Sequence, residues 1–563
     1  MLLEKFLDRV QFDSYEDFKQ NFRINIPEDF NFGFDVVDAW AELDPAKTAL
    51  VWCDDHGGER VFTFGDIKCL SNRAANLFRS LGVAKGDRVI LFLAQRWQYW
   101  PIAVALHKLG AILIPASTQL TAKDVRYRCE AAGIKAIVAV SDPYVVGQIE
   151  AALPDCPTVE RKIIVHRNGG AADCPAAGGW LNFDNELLKY PDIFERPTGE
   201  AATHNGEIFL TYFTSGTTGM PKMVAHNHTY PLGHIITAKY WQRVINGELH
   251  LTVSDSGWAK FGWGKIYGQW ICGAAIFAYD WDKFVPRLLL EKLVKYRPAT
   301  FCAPPTMFRF MIQEDLAVYD LSFIKHCSTA GEPLNPEVYN KWKELTGLSL
   351  CEGFGQSESP VLLANFDGFE PRPGSMGKPS PLYDIAIVDE EGNGCDVGEE
   401  GELVIRGIDK YMPVGLFVEL YNDPEATKRT LGGGLYRTGD IAWRDSKGYY
   451  WFVGRADDVI KCSGYRIGPF EVESALMEHP AVVECAITAA PDPIRGQVVK
   501  ATIVLARDYI PGDEALAKEL QAHVKKATAP YKYPRIVEFV AELPKTTSGK
   551  IRRVEIRQGD AEG

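Results

Sequence analysis

Short apolar runs alternate with longer amphipathic stretches through the first half of the chain. "RVILFLA" (88–94) has the make-up of a buried strand, and "WQYWPIAVALHKL" (97–109) carries apolar residues at helical spacing up to Gly110, which is placed to end the helix. "AILIPAS" (111–117) gives the next buried strand, Thr121 and Asp124 are spaced as a helix cap, and "KAIVAV" (135–140) returns to strand. Strand, helix and strand at this spacing predict right-handed crossovers and a parallel sheet, so the fold class is α/β. Around "IDKYMPVGLFVELY" and "GYYWFVG" the runs shorten and Gly and Pro interrupt them, which predicts a small β-rich subdomain. After "VGRADDVIKCSGYRIGPFEVE" the pattern resets: 469–482, 499–506 and 514–528 read as helix, strand and helix, a compact α+β unit. The expected division is therefore 1–456 and 457–563, with the boundary at the polar stretch around Asp457. No internal repeat or low-complexity segment is visible.

At 563 residues the chain exceeds one ordinary core, and 46% hydrophobic with 24% charged residues is a globular composition. No apolar stretch approaches the roughly 18 residues of a membrane span. The opening "MLLEKFLDRVQFDSYEDF" alternates acids and bases and has no leader-like apolar or Arg-rich face, so a cytoplasmic location is expected. Twelve cysteines occur without a CxxC pair, and Cys272, Cys302 and Cys485 lie in apolar runs, as reduced core residues do. A net charge of −13 argues against nucleic-acid binding, so an anionic substrate must meet local positive charge. One such place runs from Lys525 to Arg557, with nine Lys/Arg against three Asp/Glu, although charge alone reads there as a solvated basic face.

The stretch with most chemistry is "TSGTTGMPK" (214–222), which follows the strand-like "IFLTYF". Gly216 and Gly219 can turn backbone N–H groups outward, Thr214, Ser215, Thr217 and Thr218 offer hydroxyls, and Lys222 adds a point charge. These are the donors a phosphate needs, yet a plain turn has the same composition. The spacing is not that of a GxxxxGK[ST] loop, which disfavours a P-loop ATPase. His226 and His228 lack a third ligand at matching spacing, so no metal site is read there. No GxSxG elbow is present to supply a hydrolase nucleophile.

The turn resembles the phosphate loop of the ANL adenylating superfamily, which holds acyl-CoA synthetases, peptide-synthetase adenylation domains and luciferases. Five more segments resemble that family's motifs in its order: "STAGEPL" (328–334), "GFGQSES" (353–359), "YRTGD" (436–440), "GRADDVIKCSGYRIGPFEVE" (454–473) and "PKTTSGKIRR" (544–553). The resemblance implies a large adenylating domain of stacked α/β sheets and a small mobile domain. It implies that a carboxylic acid is joined to AMP with loss of pyrophosphate and then passed to the thiol of coenzyme A, with ATP, Mg2+ and coenzyme A as the participating small molecules.

By the same resemblance Thr214 to Lys222 close over the phosphates, and Glu358 helps hold Mg2+. Gly331, Glu332 and Pro333 line the adenine pocket with Gly353, Phe354, Gly355 and Gln356, Phe354 stacking on the base. Ser357 stands where the family has Thr, keeping the hydroxyl. Asp440 receives the ribose hydroxyls beside Arg455. Lys550 is the lysine that swings in for adenylation only, with Asp457 as the hinge. Ser463, Gly464, Tyr465 and Arg466, with Arg495, Lys525, Tyr533, Pro534 and Arg535, are the implied coenzyme A contacts, which gives the basic stretch a use.

Acetyl-CoA synthetases of the superfamily carry Trp where this chain has Gly355, so the implied acyl pocket has room for several methylenes, each worth about 0.8 kcal/mol when buried. Trp258 and Phe261, in "SDSGWAKFGWGKIYGQWICGAAIF" (254–277), are suited to a tunnel wall, although core packing explains them equally well. These features resemble the medium-chain acyl-CoA synthetases, including branched-chain members. Short-chain or aromatic acid ligation, transfer to a carrier protein, luciferase-type oxidation and a non-catalytic nucleotide-binding role remain open alternatives. Monomer and homodimer are both open.

Overall fold

The computed structural model describes residues 2–167, 178–214, 220–462, 465–492, 495–545 and 551–562. The predicted parallel sheet is present: Arg88–Phe92 lies between Ile112–Pro115 and Ala136–Val140, parallel to both. Between the first two runs the helix Tyr99–Leu109 is buried along its whole length, which accounts for its unbroken apolar character, and Gly110 ends it in the left-handed region at φ 72°. Thr121 and Asp124 form the expected capping box on helix Ala122–Ala132. The sheet has eight strands, and Ile208–Thr214 pairs within it antiparallel to Lys222–Asn227.

A second sheet of thirteen strands places Thr300–Ala303, His326–Thr329 and Leu350–Phe354 side by side and parallel. It then turns antiparallel and runs on into the β-rich part through Ser375–Pro379, Tyr450–Arg455 and Leu435–Arg444. The two sheets share one core, in which Phe32, Trp52, Trp100, Trp241 and Trp270 are each at most 1% exposed. The "IDKYMPVGLFVELY" stretch is mostly turn, because Gly and Pro break it. Its one short strand, Glu419–Leu420, pairs with Lys222–Asn227 in the first sheet.

The chain after Ile460 builds a separate five-stranded sheet with its own core. Gly496–Leu505 pairs with Val482–Asp492 and Ile536–Val540, and helices Pro469–Met477 and Glu514–Ala527 cover it. The helix expected over 469–482 stops at Met477, and the apolar residues from Val482 belong to a strand instead.

Candidate active site

The phosphate segment leaves the sheet at Thr214 and re-enters it at Lys222, and these two residues are cross-strand partners. Its far side is fixed by helix Ala122–Ala132, where the Tyr127 hydroxyl donates to the Pro221 carbonyl at 2.8 Å. Ser215 to Gly219 lie outside the described residues. In the second sheet, Gly331 to Pro333 follow strand His326–Thr329, and Gly355 to Glu358 follow Leu350–Phe354. Because these strands are parallel neighbours, both loops emerge at the same carboxyl edge, where α/β sheets collect ligands. Gly331 sits at φ 108°, which an L side chain rarely adopts. Glu332 accepts from Thr306 N at 2.9 Å, at the start of helix Pro305–Met311, and Phe354 lies 6.4 Å from Phe452 between ring centroids.

Asp440 and Arg455 are register partners on adjacent antiparallel strands. Asp440 is buried and accepts from Arg455 Nη1 at 3.3 Å and from Gln356 Nε2 at 2.5 Å. Gln356 Nε2 also donates to the Thr438 carbonyl at 2.9 Å, and its Oε1 accepts from the Tyr436 hydroxyl. Gln356 therefore fastens the acidic motif to Thr438 and Asp440, which lie within strand Leu435–Arg444 and not in the turn that "YRTGD" suggested. Glu358 keeps part of its surface open, while burial of the rest raises its carboxyl above the ordinary range. Asp440 pushes the same way, and Arg455 and Lys222 oppose it. A partly open carboxylate at this edge is the kind of oxygen donor that suits a hard divalent cation such as Mg2+.

The aromatic segment forms helix Ala259–Gly264. Phe261 is 1% exposed and packs on Tyr99 and Trp100 at 4.5 and 5.5 Å, so it is a core residue in this structure. The residue that reaches the acidic motif is Trp263: a Cβ on Gly355 would lie 2.4 Å from its indole. The space freed by glycine at 355 is thus filled by a different indole, and no open slot of several methylenes lies at that Cα. Trp258 stays partly exposed at the start of the helix.

Among the coenzyme A candidates, Lys525 Nζ lies 3.9 Å from the Tyr533 ring centroid, and Arg535 donates to the Tyr533 hydroxyl at 2.9 Å, with Pro534 between the latter two in sequence. Tyr465 stacks on Tyr531 with centroids 4.2 Å apart, a partner the sequence did not single out. Arg466 pairs with Glu390, and Arg495 N donates to Asp492. Asp457 lies 3.7 Å from Arg455. Ser463, Gly464 and Lys550 lie outside the described residues. Lys545 and Ile551, on either side of 546–550, form a β-bridge, and Lys545 pairs at 2.8 Å with Glu484, which also faces Arg309 at 3.7 Å.

The family described as AMP-binding enzyme matches residues 37–412, and its C-terminal domain matches 471–550. The chain belongs to the AMP-binding enzymes. It is 43% identical over 555 residues to acyl-coenzyme A synthetase ACSM3, mitochondrial, of Pongo abelii, covering 97% of this chain and 92% of that one. It is also 43% identical over 559 residues to human acyl-coenzyme A synthetase ACSM4, mitochondrial, covering 97% and 94%. Among solved structures, the anthranilate CoA ligase AuaEII in complex with anthranoyl-AMP superposes with a TM-score of 0.84 at 29% identity, covering 95% of this chain and 98% of that one. A benzoate CoA ligase from Burkholderia xenovorans LB400 gives 0.79 at 27%, covering 94% and 100%. Both curated relatives are named as mitochondrial, which overturns the cytoplasmic location expected above; the polarity of the first residues does not decide a compartment.

Three contacts of this AMP-binding enzyme were not legible as motifs. Glu352 is buried on strand Leu350–Phe354 and accepts from Leu334 N at 3.3 Å, and burial pushes its carboxyl up to about 8. Its signal was only an acid inside an apolar run. Trp263 over Gly355 had no local signal. His226 donates to the Ser357 carbonyl at 2.7 Å, and its signal was a lone histidine in the strand "KMVAHN". Among the described residues no helix is long and apolar enough to cross a membrane.

Proposed function

We propose that this enzyme is an AMP-forming acyl-CoA synthetase of medium-chain or branched-chain type. The observation that carries the reading is the junction at Gln356, which donates from the acidic motif to Asp440 and to the Thr438 carbonyl, with Arg455 on the same aspartate. A carboxylate attacking the α-phosphate of ATP brings two anions together, so the site must screen charge and hold an in-line geometry. Thr214 to Lys222 grip the phosphates that leave as pyrophosphate. Glu358 holds Mg2+, and the cation, when bound, neutralises phosphate charge. Gly331 to Pro333 and Gly353 to Ser357 enclose the adenine and α-phosphate side, and Asp440 receives the ribose hydroxyls. Lys550 meets the carboxylate and α-phosphate. The domain 457–563 then turns at Asp457 and presents Ser463 to Arg466, with Arg495, Lys525 and Tyr533 to Arg535, to free coenzyme A.

ATP–pyrophosphate exchange across straight, branched and aromatic acids tests the reading, and no acid-dependent exchange would overturn it. A ring-sized acid is the second reading, favoured by the Trp263 indole over Gly355. Trp263→Ala is expected to raise kcat/KM for longer acids by about fourfold per added methylene that the vacated space accepts. An unchanged chain-length profile would remove Trp263 from the acyl pocket.

A further inference from the structure

His226 is fully buried in strand Lys222–Asn227, against the rings of Tyr230 at 4.0 Å and Tyr212 at 5.9 Å. Its Nε2 lies 2.7 Å from the carbonyl oxygen of Ser357. A carbonyl can only accept, so Nε2 carries the proton, and the other nitrogen, Nδ1, has no partner among the described residues. Burial pushes the imidazole down to about 3, so the ring stays neutral and this tautomer persists through the working pH range. No metal group of three or more His, Cys, Asp or Glu occurs among the described residues, and the imidazole neither faces solvent nor titrates near neutrality. What remains for it is one directed hydrogen bond.

That bond falls at a junction of three segments. The next carbonyl, that of Glu358, accepts from Phe417 N at 2.8 Å, and Val418 N donates to Ala225 O at 2.9 Å. Ala225 is also the register partner of Glu419. Two consecutive carbonyls of the hydroxyl–acid pair are therefore held from the strand that begins with Lys222 and from Phe417, just ahead of the short strand beside it. The phosphate strand and the acidic motif belong to different sheets. The His226–Ser357 bond is the direct side-chain tie between them, and the Phe417–Glu358 bond is the indirect one through the short strand's ladder.

We propose that His226 is a positioning residue that sets the Ser357–Glu358 backbone against the phosphate-gripping strand, and so the placement of the Glu358 carboxyl for Mg–ATP. The proposal rests on the functional reading above. It assigns no contact between His226 and substrate. Losing the donor would leave a part-buried carbonyl without this partner, and the 357–358 backbone would relax away from Lys222.

The test uses the full-length wild type, His226→Leu and His226→Gln, because a glutamine amide can place an N–H where the imidazole Nε2–H stands. In pyrophosphate exchange His226→Leu is expected to raise KM for Mg–ATP about tenfold, leave KM for the acid within about twofold, and leave conversion of supplied acyl-AMP to acyl-CoA unchanged. His226→Gln is expected to recover most of the ATP effect. Calorimetric titration of Mg–ATP should show the same order of affinity: wild type, then Gln, then Leu. Unchanged ATP affinity in His226→Leu overturns the proposal. Parallel loss of both half-reactions together with a fall in Tm, or no recovery with Gln, overturns it in favour of a purely structural histidine. If wild type shows no exchange with any acid, the functional reading falls, and the calorimetric order alone still decides the role of His226.

Discussion

Lys550→Ala is expected to lower acid-dependent ATP–pyrophosphate exchange by about 100-fold or more, while conversion of supplied acyl-AMP to acyl-CoA stays within about threefold of wild type. The asymmetry follows from how the residues around 546–550 are tied. Lys545 and Glu484 join the base of this segment to Arg309 on helix Pro305–Met311, whose first turn donates to Glu332 of the adenine segment. On the other side, Arg557 pairs with Asp458 at 2.5 Å, and Arg553 pairs with Glu473 at 2.6 Å, so the chain following Lys550 is fastened beside Asp457. On the function proposed above, a turn at that point would carry the lysine with it, away from the α-phosphate, before the thiol attacks. Separate assays of the two half-reactions check the expectation. Equal loss of both would remove the domain-rotation account while leaving the nucleotide site intact.

Glu358→Gln is expected to reduce exchange by about 100-fold, chiefly through weaker use of Mg–ATP. The pH profile gives a second readout. Burial holds the Glu358 carboxyl above its ordinary range, so it protonates earlier than a solvated carboxylate as the pH falls. The ionised form is the one that binds the cation. Exchange should therefore fail on the acid side sooner than an ordinary glutamate would require, and raising Mg2+ should move that limb to lower pH by favouring the carboxylate. Glu358→Gln should lose the magnesium-dependent shift. A variant that keeps both wild-type exchange and the same acid limb would take Glu358 out of the metal role.

The motifs were legible because each compresses its chemistry into a few neighbouring residues: hydroxyls and glycines beside Lys222, an acid at 358, an aspartate after a glycine at 440. The strand and helix pattern of the first half was legible for a related reason, since full burial leaves unbroken apolar runs. What escaped depends on pairs far apart in sequence. Gln356 meets Thr438 and Asp440, Glu352 meets Leu334, and His226 meets Ser357, and each needs two chain segments to be placed before either residue means anything. Phe261 shows the opposite difficulty. An aromatic next to glycines suits a tunnel wall and a core equally well, and only the neighbours Tyr99 and Trp100 separate the two. Lys222–Asn227 accepts Glu419–Leu420 at its edge although Gly and Pro interrupt that stretch, because two residues suffice to complete a sheet edge.

The contact of Gly355 with Trp263 bears on how such a site can change over generations. Any side chain added at 355 meets the indole at 2.4 Å and the Pro360 carbonyl at 2.7 Å, so a one-step enlargement there is blocked. Shrinking residue 263 first removes the indole, and the Pro360 carbonyl must then still shift before a side chain fits at 355. Divergence at this contact therefore has a preferred order of mutations, 263 before 355, and descendants that carry a bulky residue at 355 should carry a small one at 263.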